Sequence, residues 1–227
     1  DSSGNFSLYV GGESDSKNFL PLPENANMLI VRQTYKNRIS QTHAKINIKT
    51  TSSTPTPDLL TLVKLENQLH QTLAFVRGTA STFIKWVHEF KNNHKNQLPM
   101  GDQAFFQAAG GDPKICYLHG YYDFDKSEYM EITTEIPDCE YWNFQLENYW
   151  MESLDYRHYP IHINESSATF NNDGTLTINI SHLPMNIKNN LITEGRNNGA
   201  MLLRWIGASS YPIPNVEIKK INSLEAG

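Results

Sequence analysis

The side chains best suited to chemistry are crowded into "NYWMESLDYRHYPIHI", residues 148–163. Glu152 and Asp155 form a carboxylate pair, and acid/base work would need unequal burial to push their pKa values apart. Arg157 supplies a cation, His158 a second proton carrier, and Tyr149 with Trp150 could edge a cleft for a small polar or sugar-like substrate. Arg204 lies inside the apolar run "MLLRWI", where an unpaired guanidinium would be costly. It is therefore expected to be neutralised by Glu152 or Asp155.

Metal chemistry finds little support. His158 and His162 would stand roughly 13 Å apart on a strand, and Pro160 opposes the helix that would bring them together. Asp123, Asp125 and Ser127 are spaced like calcium ligands, but Glu128 stands where such a loop needs glycine and Thr134 where it needs a bidentate glutamate. A polar turn is the better reading. The sequence lacks G-x-S-x-G, phosphate-binding glycine loops, H-E-x-x-H and C-x-x-C. No cofactor and no metal are expected, and the balance leans away from catalysis.

The elements that must position these residues read mainly as strands. "NFSLYV" alternates, "ANMLIVRQTY" reads as a central strand and "HAKINIKTT" as its partner. A polar, Pro-bearing hinge at 51–58 precedes a long helix over about 58–93, with Asp58 as its cap. Its apolar stripe, from Leu62 through Leu69 and Val76 to Phe90, is expected to dock on the sheet, with Gly78 as a place to kink or split. A coiled-coil or swapping arm is the alternative. Further strands follow at "KICYLHGYY" and "EYMEITTEI", then a hairpin at "SSATFNNDGTLTINIS", then "AMLLRWIGA" and "VEIKKI". The pattern predicts one antiparallel β-sandwich domain over 1–227, jelly-roll-like, with the helix as an insertion. Within it, residues 141–157 read as a central strand with Trp142, Phe144, Leu146 and Trp150 on one face; core packing is favoured over a stacking platform.

Composition bounds the partners. With 19 Lys plus Arg against 24 Asp plus Glu in 227 residues, the net charge of -5 offers no field for nucleic acid. No apolar run is long enough to span a membrane. Asn5, Asn164 and Asn179 are N-x-S/T acceptors, and two of them, Asn5 and Asn179, read as lying on polar strand faces where a glycan could be tolerated. Cys116 and Cys139 fit either one disulfide or two buried thiols. These features motivate a secreted or cell-surface location, with the cytoplasm as the alternative.

"AAGGDPKICYLHGYYDFDKSEYMEI", "CEYWNFQLENYWMESLDYR" and "GAMLLRW", preceded by "NFLPLPENANMLIVRQTY", resemble the domain-of-unknown-function family numbered twelve-fourteen, found alone and as the C-terminal partner of the domain numbered twelve-fifty-four. Nearly the whole chain takes part. The resemblance implies a jelly-roll-like β-sandwich, with relatives that carry the partner domain resembling the paired jelly rolls of viral coat proteins, and brings no activity. Its motif residues Trp142, Gln145, Asn148, Trp150, Glu152, Ser153, Asp155, Arg157, Arg204 and Trp205 are present; Leu191 replaces a tryptophan.

Two functional expectations result. The first is a non-catalytic protein that acts by binding or self-assembly, as a homo-oligomer or with a glycan or small ligand, through Trp142, Gln145, Tyr149, Trp150, Arg204 and Trp205. The second is an enzyme using Glu152, Asp155, Arg157 and His158. Burial of the carboxylates discriminates between them.

Overall fold

The computed structural model describes residues 1–26, 28–51 and 59–222. The chain divides into two compact units, Asp1–Tyr35 with Thr42–Asn47, and Lys36–Gln41 with Ile48–Gly227. In the smaller unit, β1 (Tyr9–Val10) pairs in parallel with β2 (Phe19–Leu20). The strands expected at "ANMLIVRQTY" and "HAKINIKTT" are not formed among the described residues. A side-chain clamp replaces their ladder: the Gln33 amide accepts from the Ala44 N–H at 2.9 Å and donates to the Ala44 carbonyl at 3.4 Å.

The larger unit is mainly β. Its elements are α1 (Leu62–Asn93), α2 (Gln103–Ala108), β3 (Ile115–Asp123), β4 (Glu128–Thr134), β5 (Tyr141–Leu146), β6 (His162–Asn164), β7 (Leu176–Ser181), β8 (Asn190–Ile192), β9 (Asn198–Ile206) and β10 (Asn215–Lys220). They form two four-stranded sheets, β10-β4-β7-β8 and β3-β9-β5-β6, antiparallel except for the β7–β8 pair, and neither closes into a barrel. Alternation explains the burial, since period-2 side chains leave one face of each strand for the core. Trp142, Phe144, Leu203 and Trp205 from one sheet share a single apolar cluster with Met130, Ile132, Ile178 and Ile180 from the other. Leu191, where the resemblance leads one to expect a tryptophan, is buried in that cluster.

The expected polar turn and the expected hairpin are both built differently. The turn at Asp125–Glu128, closed by the Glu128 N–H on the Asp125 carbonyl at 2.9 Å, hands the chain from one sheet to the other. In "SSATFNNDGTLTINIS" the turn is made, with Gly174 at φ 85°, but only its second arm is a strand, pairing with β4 and β8.

Thr61 caps α1, its hydroxyl accepting from the Lys64 N–H at 3.3 Å; the proposed cap Asp58 lies outside the described residues. The helix runs unbroken through Gly78. Its stripe docks on the body only at its end, where Val87 and Phe90 are buried against Phe106, Tyr121 and Ala200. Leu62, Leu69, Leu73 and Val76 remain exposed, Leu69 to 62%. The expectation of a fully docked helix therefore holds for the final turns alone.

Candidate functional site

β5 and β9 lie side by side with Trp142 opposite Trp205 and Asn143 opposite Arg204. One face of this pair feeds the core, so both tryptophans are buried and out of reach of a ligand. The other face carries Asn143, Gln145 and Arg204. The Arg204 guanidinium donates to the Asn143 and Gln145 side-chain oxygens at 3.3 Å each, and the Gln145 amide donates to Glu147 Oε1 at 2.7 Å. Glu147 Oε2 is buried without a partner. Burial pushes the Glu147 carboxyl up to about 7, against the Arg204 charge and the Gln145 hydrogen bond. Arg204 is in turn lowered by burial, an effect that Glu147 opposes.

The carboxylate that answers Arg204 is therefore Glu147, not Glu152 or Asp155. Glu147 follows Gln145 by two residues, so the same period-2 rule that placed Gln145 on this face would have found it. Directly afterwards the chain reverses: Glu147 bridges to Ser153 across a turn in which Met151 takes φ 59°. That reversal carries Glu152 and Asp155 away from β9 and ends the strand expected to continue to 157. Trp150 consequently emerges 56% exposed rather than joining Trp142 and Phe144 in the core.

Next to Arg204 on the same sheet, His119 is buried and stacked on Phe90 with centroids 4.8 Å apart. Burial, aided by the Arg204 charge, lowers its pKa to about 3. Among the described residues, the buried polar side-chain atoms without a partner are Trp86 Nε1, His94 Nδ1, His119 Nδ1 and Glu147 Oε2. Trp86 and His94 flank the docked end of α1, through ring contacts to Phe106 and Phe90.

Of the residues first suspected of catalysis, Asp155 and Arg157 line a separate, open hollow of about 410 Å³, bounded also by Asn148, Ser153, Tyr156, Glu194 and Arg196, whereas Glu152 and Trp150 border a different recess. Asn148 organises its rim, donating to Glu152 Oε2 at 2.6 Å and accepting from the Trp150 and Glu152 N–H groups at 2.8 and 3.0 Å. Arg157 grips Asp155 with two bonds of 2.9 Å, and this contact lowers the Asp155 carboxyl to about 2. Glu194 accepts from the Asp155 N–H and pairs with Arg196. Neither Glu194 nor Arg196 was legible as a partner, since both lie about forty residues away in the chain. His158 is exposed on the adjoining turn. Here two acids are matched to two arginines, and a carboxylate held near 2 is a poor proton donor at neutral pH.

The remaining candidates are scattered. Tyr149 and Trp150 meet edge to face at 5.1 Å. Asn164 and Asn179 are buried, at 5% and 6% exposure, not on open polar faces. Their amides are used internally, by Tyr141 Oη and the Lys36 carbonyl and by the Lys188 carbonyl respectively. A glycan on either would require both hydrogen bonds and packing to be broken. Asn5 is exposed. Cys116 and Cys139 are free, and burial raises the Cys116 thiol to about 11. Among the described residues no three His, Cys, Asp or Glu side chains converge as a metal site, and Asp123 is paired with Lys95 at 2.6 Å.

No family model matches the chain, and no curated protein matches it in sequence. Among solved structures, an uncharacterised protein from Burkholderia cenocepacia superposes with a TM-score of 0.87 and 34% identity over 94% of this chain. A protein from Vibrio parahaemolyticus reaches a TM-score of 0.39 and 14% identity, over 74% of this chain and 48% of its own, too distant to argue from. The chain spans 59% of the length of the Burkholderia protein, to which it is similar in both sequence and fold.

Proposed function

We propose that this chain is a non-catalytic binding and assembly protein, a jelly-roll-like β-sandwich of the family numbered twelve-fourteen that works outside the cell or at its surface. One observation carries the reading: α1 holds an apolar stripe that its own fold leaves bare from Leu62 to Val76. Contiguous exposed apolar surface of this kind marks a docking face in a soluble protein. Of the two acids an enzyme was expected to use, Asp155 is neutralised by Arg157, and Glu152 is held by the Asn148 amide instead of by a cation. A double substitution, Leu69→Lys with Val76→Lys, tests the assignment. The near-ultraviolet circular dichroism from the buried Trp142 and Trp205 is expected to be retained. Its loss would show that the stripe is core, and would sink the docking-face reading.

A second reading is favoured by the 410 Å³ hollow, whose balanced acids and arginines beside Tyr156 suit a neutral, hydroxyl-rich ligand such as a sugar. Calorimetric titration with simple saccharides tests it, and Arg157→Ala is expected to weaken any binding found.

A further inference from the structure

The exposed part of α1 has a stricter order than a merely apolar face requires. Leu62, Leu69, Val76 and Phe83 recur at intervals of seven, with Leu65 and Leu73 between them. A seven-residue repeat suits a second helix crossing at about 20°, because the seam then stays on one side. A sheet as partner would demand no such period.

Charge narrows the partner. Beside the stripe, on one flank, stand Glu66 towards the N-terminal end and Arg77 further along. Glu66 is largely exposed, with only a 3.9 Å approach from His70. In an antiparallel pair of identical helices related by a two-fold axis, like flanks face each other. Glu66 of each copy then meets Arg77 of the other, giving two opposite-charge contacts, whereas parallel pairing sets this flank against the opposite one and brings Glu66 and Arg77 no such match. This register also places Leu60 of one copy opposite Phe83 of the other. There the body offers a mostly apolar notch of about 430 Å³, lined by Ala80, Phe83, Ile84, Trp150 and Met151 with Glu152 at its edge. Leu60 and Trp150 are both exposed.

We infer that the partner of this face is a second copy of the chain: two α1 helices pack antiparallel, Glu66 against Arg77 twice, and each notch beside Trp150 receives the other copy's Leu60 end. The inference rests on the docking-face reading and names its occupant. The ends of the helices, where they leave the body, become the most deeply covered part of the interface.

Sedimentation velocity of the whole chain at high micromolar concentration tests it. A dimer is expected for the native sequence. Glu66→Arg or Arg77→Glu alone is expected to weaken self-association about tenfold, each converting two attractions into two repulsions. The double exchange, Glu66→Arg with Arg77→Glu, is expected to restore it. Orientation is read by mild oxidation, with the native chain as control for Cys139: Thr72→Cys, near the two-fold axis, is expected to give disulfide-linked dimers and Leu62→Cys none. A native chain that stays monomeric while the Leu69→Lys, Val76→Lys variant keeps its near-ultraviolet signal would overturn the second copy as occupant and leave the docking face standing. Linked dimers from Leu62→Cys would overturn the antiparallel arrangement.

Discussion

Two polar regions of this protein hold similar residue types in opposite ways. In the open hollow, Asp155 and Glu194 each have an arginine in direct contact, and solvent reaches both pairs. On the outer face of the β5–β9 pair, Glu147 and Arg204 communicate through Gln145, beneath the docked end of α1, with a carboxylate oxygen left unpaired. Water screens the first arrangement and makes it nearly indifferent to loss of one member. Burial makes the second one sensitive, since removing one charge strands the other in a poorly polarisable setting.

Arg204→Met should produce the largest effect. At pH 8 the variant must either keep Glu147 ionised without its cation or protonate a carboxyl that loss of Arg204 raises further, and about 3–5 kcal/mol of unfolding free energy is expected to be lost in urea melts. At pH 5, where Glu147 is protonated, the loss should shrink markedly. Equal losses at both values would show that Glu147 is not the group that answers Arg204.

Gly199→Ala sharpens the same contrast from the backbone. A Cβ there would lie 2.3 Å from the Glu147 carbonyl oxygen and 2.5 Å from the Tyr122 hydroxyl, so the strand must shift. About 2–3 kcal/mol of destabilisation is expected. Unchanged urea midpoints would mean that the Glu147 segment yields easily.

The pH dependence follows from two opposed shifts. Glu147 is raised from 4.5 to about 7, so it favours the folded state below 4.5 and that contribution disappears as pH rises through 7. His119 is lowered from 6.5 to about 3, so its contribution is complete above 6.5 and disappears as pH falls through 3. Between 4.5 and 6.5 the two slopes oppose each other. Glu147→Gln removes one of them, and stability is then expected to fall continuously with acid across that window, by about 2–3 kcal/mol. A flat profile in the variant would break the comparison.

Asp155→Asn should be the smallest perturbation. Asp155 is lowered from 3.8 to about 2, so its contribution exists above 3.8 and fades only as pH falls towards 2. At pH 7 the thermal midpoint is expected to move by little, because exposed pairs are screened. A shift rivalling that of Arg204→Met would mean that the hollow is far less solvated than its geometry indicates.

Much of this protein could be read in order along the chain. The alternation in "EYMEITTEI", "TLTINIS" and "AMLLRWI" predicts β4, β7 and β9, and the step of threes and fours predicts α1, because both periods are local consequences of backbone geometry. The apolar runs at 28–31 and 44–48 carry the same signal without forming strands, since a strand needs a neighbour to bond and period alone cannot supply one. Likewise, the stripe on α1 was legible, but not which part of it the fold would cover.

By itself, then, the sequence determined the type of β4, β7, β9 and α1, the place of Arg204 among apolar neighbours and the spacing of the stripe on α1. Tertiary structure alone decided which acids remain in water and which tryptophans disappear into the core. The reason is the turn at 148–152: a single residue at positive φ redirects everything after it, and such a reversal is settled by the packing of distant strands, not by the residues that make it.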